Sequence, residues 1–88
     1  MAMNVVVIHP RDNVAVATAR VEAGEQLHDI GDGRIVARDA IPQYHKVAIA
    51  AIAERQPVIK YGECIGIASA AISPGDHVHS HNLKPEED

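Results

Sequence analysis

Four short segments of this chain repeat one pattern at fixed spacing, and that repeat restricts the fold more than any other feature. Each segment reads apolar, two residues, a turn position, two residues, apolar. They are Val21–Gly24–Leu27, Ile41–Tyr44–Val47, Ile52–Arg55–Val58 and Ile72–Gly75–Val78. Their starts are separated by 20, 11 and 20 residues, so the first and third lie 31 apart, as do the second and fourth. That order of spacings predicts two similar halves related by a pseudo-twofold. Each segment predicts a corner, in which an apolar anchor leads into a turn and then into a strand whose first inward residue is the second anchor. Glycine at the turn position supplies a positive φ without steric cost. Tyr44 and Arg55 hold that position in the other two corners, where the same geometry carries strain on the order of 1 kcal/mol each. The units are too short for solenoid repeats.

Between and around the corners run short extended segments divided by turn signals. They cover residues 4–8, 14–17, 26–30, 34–37, 45–52, 58–61, 64–68 and 77–80. Asp12-Asn13 marks one turn, and Gly31-Asp32-Gly33 predicts a tight hairpin because Asp and Gly tolerate positive φ. Residues 47–54 have helical propensity, but they make only about two helical turns between turn residues, so strand is expected. The core material agrees. Among 88 residues, Tyr44 and Tyr61 are the only aromatics besides histidine, with no Phe or Trp. The interior must therefore come from Val, Ile, Leu and Ala, and the β-branched ones pack best on pleated surfaces. The expectation is one all-β domain over residues 1–83 with a frayed, charged tail over 84–88. A core this thin would gain from burial against a partner.

Charge and cysteine content exclude several classes. The formal net charge is −4 and the eight Lys and Arg are scattered, which argues against nucleic acid. No apolar run approaches the ~18 residues of a membrane helix, and residues 1–8 lack the charged leader of a signal peptide. The single cysteine, Cys64, rules out an internal disulfide and fits a reducing cytoplasm. Set in an apolar run, it is expected to be a buried structural thiol.

Several segments carry a family resemblance. Residues 12–17 (DNVAVA), 41–48 (IPQYHKVA), 58–62 (VIKYG) with 65–68 (IGIA), and 75–82 (GDHVHSHN) occur in this order. Together they resemble the SAF domain of the altronate/galactarate dehydratase family, over nearly the whole chain. The most specific parts are His45-Lys46, Lys60-Tyr61-Gly62 and the run from Val78 to Asn82. The resemblance implies a β-clip, a small folded-over β-structure. It also implies association with a large catalytic part that this chain lacks. In some relatives, such as sulfolactate sulfo-lyase, the two parts are separate small and large subunits, and this short chain is similar to that arrangement. Where the family has glycine before the His-Lys pair and in the next corner, this chain has Tyr44 and Arg55.

The chemistry of the same residues can be weighed on its own terms. In a strand, His77, His79 and His81 share one face, since side chains alternate with period two. Three imidazoles on one face can hold a metal, or an anion when protonated. No Cys pair or carboxylate sits at ligand spacing, so no metal ligand is assigned within the chain. Lys46 and Lys60 fall near corners that the pseudo-twofold would bring close. Two ammonium groups with imidazoles suit a polyhydroxy carboxylate. Tyr61 and Asn82 offer hydroxyl and amide hydrogen bonds to sugar hydroxyls. The expected substrate-binding set is therefore His45, Lys46, Lys60, Tyr61, His79, His81 and Asn82.

Sugar-acid dehydration needs a base, an acid and usually a metal to stabilise the enediolate. No paired carboxylates occur in a motif, so no catalytic residue and no cofactor is assigned to this chain. The large subunit is expected to carry the base and a divalent metal such as iron, magnesium or manganese. The small chain, inactive alone, would supply a recognition edge or lid for a sugar-acid or hydroxy-acid substrate. The alternatives are an independent carbohydrate- or anion-binding SAF module and a structural domain that forms homo-oligomers.

Overall fold

The structure, a computed structural model, describes residues 4–28 and 35–85. It is all-β, with no helix among the described residues. Seven short strands follow in order: β1 (Val5–Val6), β2 (Val14–Ala17), β3 (Lys46–Ala48), β4 (Pro57–Lys60), β5 (Glu63–Ala68), β6 (His77–Val78) and β7 (Leu83–Lys84). They form two antiparallel sheets, β1-β2-β3-β6 and β4-β5-β7. This is the small two-sheet architecture expected of a β-clip.

The repeat is the organising principle of the backbone. Gly24, Tyr44, Arg55 and Gly75 all have positive φ, at 91°, 70°, 75° and 94°. Val21 bridges Ile41, and 31 residues on, Ile52 bridges Ile72. The hydrogen bonds repeat with the same offset. Gly24 N donates to Ala37 O at 2.8 Å, and Arg55 N to Ala68 O at 2.8 Å. Tyr44 N donates to Ala17 O at 2.7 Å, and Gly75 N to Ala48 O at 2.8 Å. Two buried clusters follow suit. Ala17, Val21, Leu27, Ala37, Ile41 and Val47 lie in one. Their counterparts 31 residues later, Ala48, Ile52, Val58, Ala68, Ile72 and Val78, lie in the other. Both clusters are aliphatic throughout, as a chain without Phe or Trp requires.

Several expectations are refined. Residues 47–54 do not form a helix: β3 ends at Ala48 and Ile52 makes an isolated bridge. The segments around 26 and 36 meet through one bridge, Gln26 to Val36, and the Gly31-Asp32-Gly33 turn lies outside the described residues. Lys84 belongs to β7, paired with Ile67, and not to a tail. Cys64 is exposed, contrary to expectation. The reason is a register shift. Val58 pairs with Gly66 but Ile59 pairs with Cys64, so Ile65 is the extra residue of a bulge. The bulge breaks the alternation that would have put Cys64 on the buried face of Gly66 and Ala68. The thiol instead donates to Gly66 O at 3.3 Å.

Candidate functional site: a histidine cluster beside a lysine-lined groove

β3 and β6 pair with Lys46 opposite Val78 and Val47 opposite His77. This pairing brings His45, just before β3, against the histidines that begin with β6. His45 Nδ1 and His77 Nε2 are 2.9 Å apart, one donating to the other. The rings of His45 and His79 lie nearly parallel with centroids 4.4 Å apart, and those of His77 and His79 are at 5.6 Å. His81 tilts against His77 at 5.4 Å. One potential ligand atom from each of His45, His77 and His79 falls within 4.8 Å of the other two. It is the one group of three or more potential metal ligands among the described residues.

The strand expected over 77–80 ends at Val78, and a turn over residues 79–82 does what strand alternation was expected to do. Asn82 holds that turn. Its Oδ1 accepts from His79 N at 3.0 Å, and its Nδ2 donates to His77 O at 2.9 Å. Asn82 therefore braces the histidines through their backbones. His77 was not among the expected binding residues, yet it sits at the centre of the cluster. Its signal in the sequence was the alternation with His79 and His81. Its partner His45 is 32 positions away and is reached only through the β3–β6 ladder. Burial first, and then the neighbouring His45, His81 and His79, push the His77 imidazole below its ordinary pKa, with Asp39 opposing.

Two lysines of the motif segments influence one another electrostatically. Burial, and then the Lys60 ammonium, lower the pKa of half-buried Lys46. Lys60 Nζ lies 4.7 Å from the Tyr61 ring centroid. Lys46, His79, Ser80 and Lys84 line a shallow groove of about 350 Å³ with Ile65, Leu83 and Pro85. Lys60-Tyr61-Gly62 also has a local structural role. Lys60 pairs with Glu63 across a two-residue turn whose central residues, Tyr61 and Gly62, have φ of 58° and 75°. Positive φ at both positions marks a type I′ hairpin. Gly62 N donates to Asp12 Oδ1 at 2.8 Å, tying the hairpin to the turn after β1. The Tyr61 side chain remains 55% exposed on this strained turn.

The site is thus rich in imidazole and ammonium groups. It can receive an anionic, hydroxyl-bearing ligand or a soft cation.

The chain is 44% identical over 77 residues to altronate dehydratase of Bacillus subtilis, which covers 88% of this chain and 15% of that protein. It is 40% identical over 82 residues to altronate dehydratase of Escherichia coli, covering 93% of this chain and 16% of that protein. The chain therefore spans about one sixth of the length of these relatives. It is also 40% identical over 85 residues to the (2R)-sulfolactate sulfo-lyase subunit alpha of Chromohalobacter salexigens, covering 89% of this chain and 90% of that subunit. Residues 3–86 match the altronate/galactarate dehydratase SAF domain, and the chain belongs to that family.

Proposed function

We propose that this chain is the small subunit of a hydroxy-acid lyase of the altronate/galactarate dehydratase type, supplying a recognition edge to a site that a large subunit completes. The observation that carries the reading is a groove lined by Lys46, Lys84 and His79, the last belonging to the histidine cluster, on a chain 40% identical to a sulfo-lyase alpha subunit. Cationic groups on one edge suit the carboxylate of a hydroxy acid. Half-buried Lys46 is poised for it, because a bound carboxylate would offset both the burial and the Lys60 repulsion that disfavour its charge. Tyr61, with the Lys60 ammonium 4.7 Å from its ring centroid, has a φ that a bulky residue rarely adopts. A residue kept at a strained, exposed turn position fits a contact with something outside the chain. No carboxylate pair stands in a motif of the sequence, so the proton-abstracting base is assigned to the large subunit. The small chain closes over the substrate and excludes water.

Co-purification of the tagged chain from its native extract, followed by lyase assays with altronate, galactarate and sulfolactate, tests the reading. The expected result is recovery of a large subunit and turnover of one hydroxy acid. Lys46→Met and Tyr61→Asn should each raise KM about tenfold or more, the loss of one charge-assisted or hydroxyl contact. Tyr61→Asn should also leave the fold intact, since Asn suits a type I′ turn. Recovery of the 88-residue chain alone, with unaided binding of a sugar acid in calorimetry, would replace this reading with that of an independent binding module.

A further inference from the structure

We propose that His45, His77 and His79 form a binding site, within this chain, for a late first-row divalent cation of the zinc type. The argument begins with the donors. Three imidazoles from two paired strand regions place one potential ligand atom each within 4.8 Å of the others. Zinc–nitrogen bonds of ~2.0–2.1 Å in tetrahedral geometry place ligand atoms roughly 3.3–3.4 Å apart. The His45 Nδ1 to His77 Nε2 separation of 2.9 Å is already close to that value. In the metal-free chain one proton bridges these two nitrogens. A cation that displaces it engages both lone pairs with a small widening of the pair. The third ligand is the one best able to move. His79 is exposed, while His45 and His77 are half-buried, so rotation of its side chain closes the set without disturbing the core.

The backbone beneath the rings is pre-ordered. Asn82 fixes both His77 and His79 through their main-chain groups. Asp39 Oδ2 accepts from His77 N at 3.1 Å. Ligands held by a second layer of hydrogen bonds bind with less loss of freedom. The donor set also decides the metal class. Imidazole nitrogens suit zinc and its transition-metal neighbours, whereas magnesium and calcium require oxygen ligands. No carboxylate joins the group of three. His79 also lines the groove that holds Lys46, so positions left open on the cation would face that groove. The site would be additional to the divalent metal expected in the partner subunit. It rests on the chain's own geometry and not on its role in a lyase.

The test is calorimetric titration of the purified, chelator-treated full chain with Zn²⁺, repeated with Co²⁺ for its visible ligand-field absorption. One equivalent should bind, with Co²⁺ bands typical of nitrogen ligation in low coordination number, and Mg²⁺ should not compete. His79→Ala should weaken binding by more than the roughly 10–100-fold that loss of an outer-layer partner costs. Its exposed side chain leaves the circular dichroism spectrum unchanged, which separates lost binding from lost fold. His28→Ala, outside the cluster, should bind as the parent does. Absence of saturable Zn²⁺ binding would overturn the proposal, as would binding that survives both His77→Ala and His79→Ala or is lost in His28→Ala. No partner subunit is required, so failure here leaves the lyase-subunit reading standing, and the reverse also holds.

Discussion

At the residue scale, the four corner positions show how one backbone conformation is met by different side chains. Gly24 and Arg55 are equivalent under the 31-residue offset, as are Tyr44 and Gly75. Tyr44 and Arg55 demonstrate that the corner tolerates a side chain where solvent receives it, and Tyr44 is 73% exposed. Gly75 is buried, and an added Cβ there would lie 2.1 Å from Val36 O. A Cβ on Gly24 would meet nothing within 4 Å. The two glycines therefore serve different ends, Gly24 conformational ease and Gly75 close backbone approach. Gly24→Ala is expected to cost about 1 kcal/mol, the left-handed strain less the entropy removed from the unfolded chain. Gly75→Ala should cost several times more, because Val36 and the hydrogen bond from Arg38 N to Gly75 O must shift. Urea denaturation followed by circular dichroism measures both. Equal losses would mean that φ alone governs the corner.

At the scale of elements, the turn over residues 9–12 and the β4–β5 hairpin are joined by one carboxylate. Asp12 is buried; Oδ2 accepts from His9 N at 3.1 Å, and Oδ1 from Gly62 N at 2.8 Å. Burial pushes its pKa up, but the backbone donors of Gly62, Tyr61 and His9, with the His9 ring nearby, outweigh it and hold the pKa below its ordinary 3.8. A carboxyl with a depressed folded pKa adds stability that is complete above the unfolded value and fades as pH falls through the folded one. The stability gap between the parent and Asp12→Asn should thus be constant above about pH 5 and shrink below 3.8. A gap that widens on acidification would contradict this assignment. The sequence marked Asp12-Asn13 as a turn but could not show its distant partner, 50 residues away. The same limit explains other misses. β2 was legible end to end because it is a local apolar run, and the corners were legible because they repeat. β7 is two residues long and is defined by pairing with β5. His77 gained its importance from His45, and Cys64 its exposure from a bulge, and neither is a property of a contiguous segment.

At the scale of the whole molecule, the two aliphatic clusters raise the question of whether the halves can unfold separately. The strands answer it. β2 sends Ala15 and Ala17 into the first cluster and Val14 into the second. β3 sends Val47 into the first and Ala48 into the second. Because β2 and β3 are hydrogen-bonded neighbours that feed both clusters, melting either cluster strips one face from the pair that supports the other. Ile41 and Ile72, equivalent and both buried, probe this directly. Ile→Ala in a core costs about 2–5 kcal/mol. A domain of this size holds a total of about 4–13 kcal/mol at ~0.05–0.15 kcal/mol per residue. Either substitution should therefore remove a large share of the stability, and each should move one and the same transition. Backbone circular dichroism and the fluorescence of Tyr44 and Tyr61 should melt together in the parent and in both variants. Separation of the two signals in Ile72→Ala alone would show that the clusters are independent folding units and that the repeat joined two self-sufficient halves.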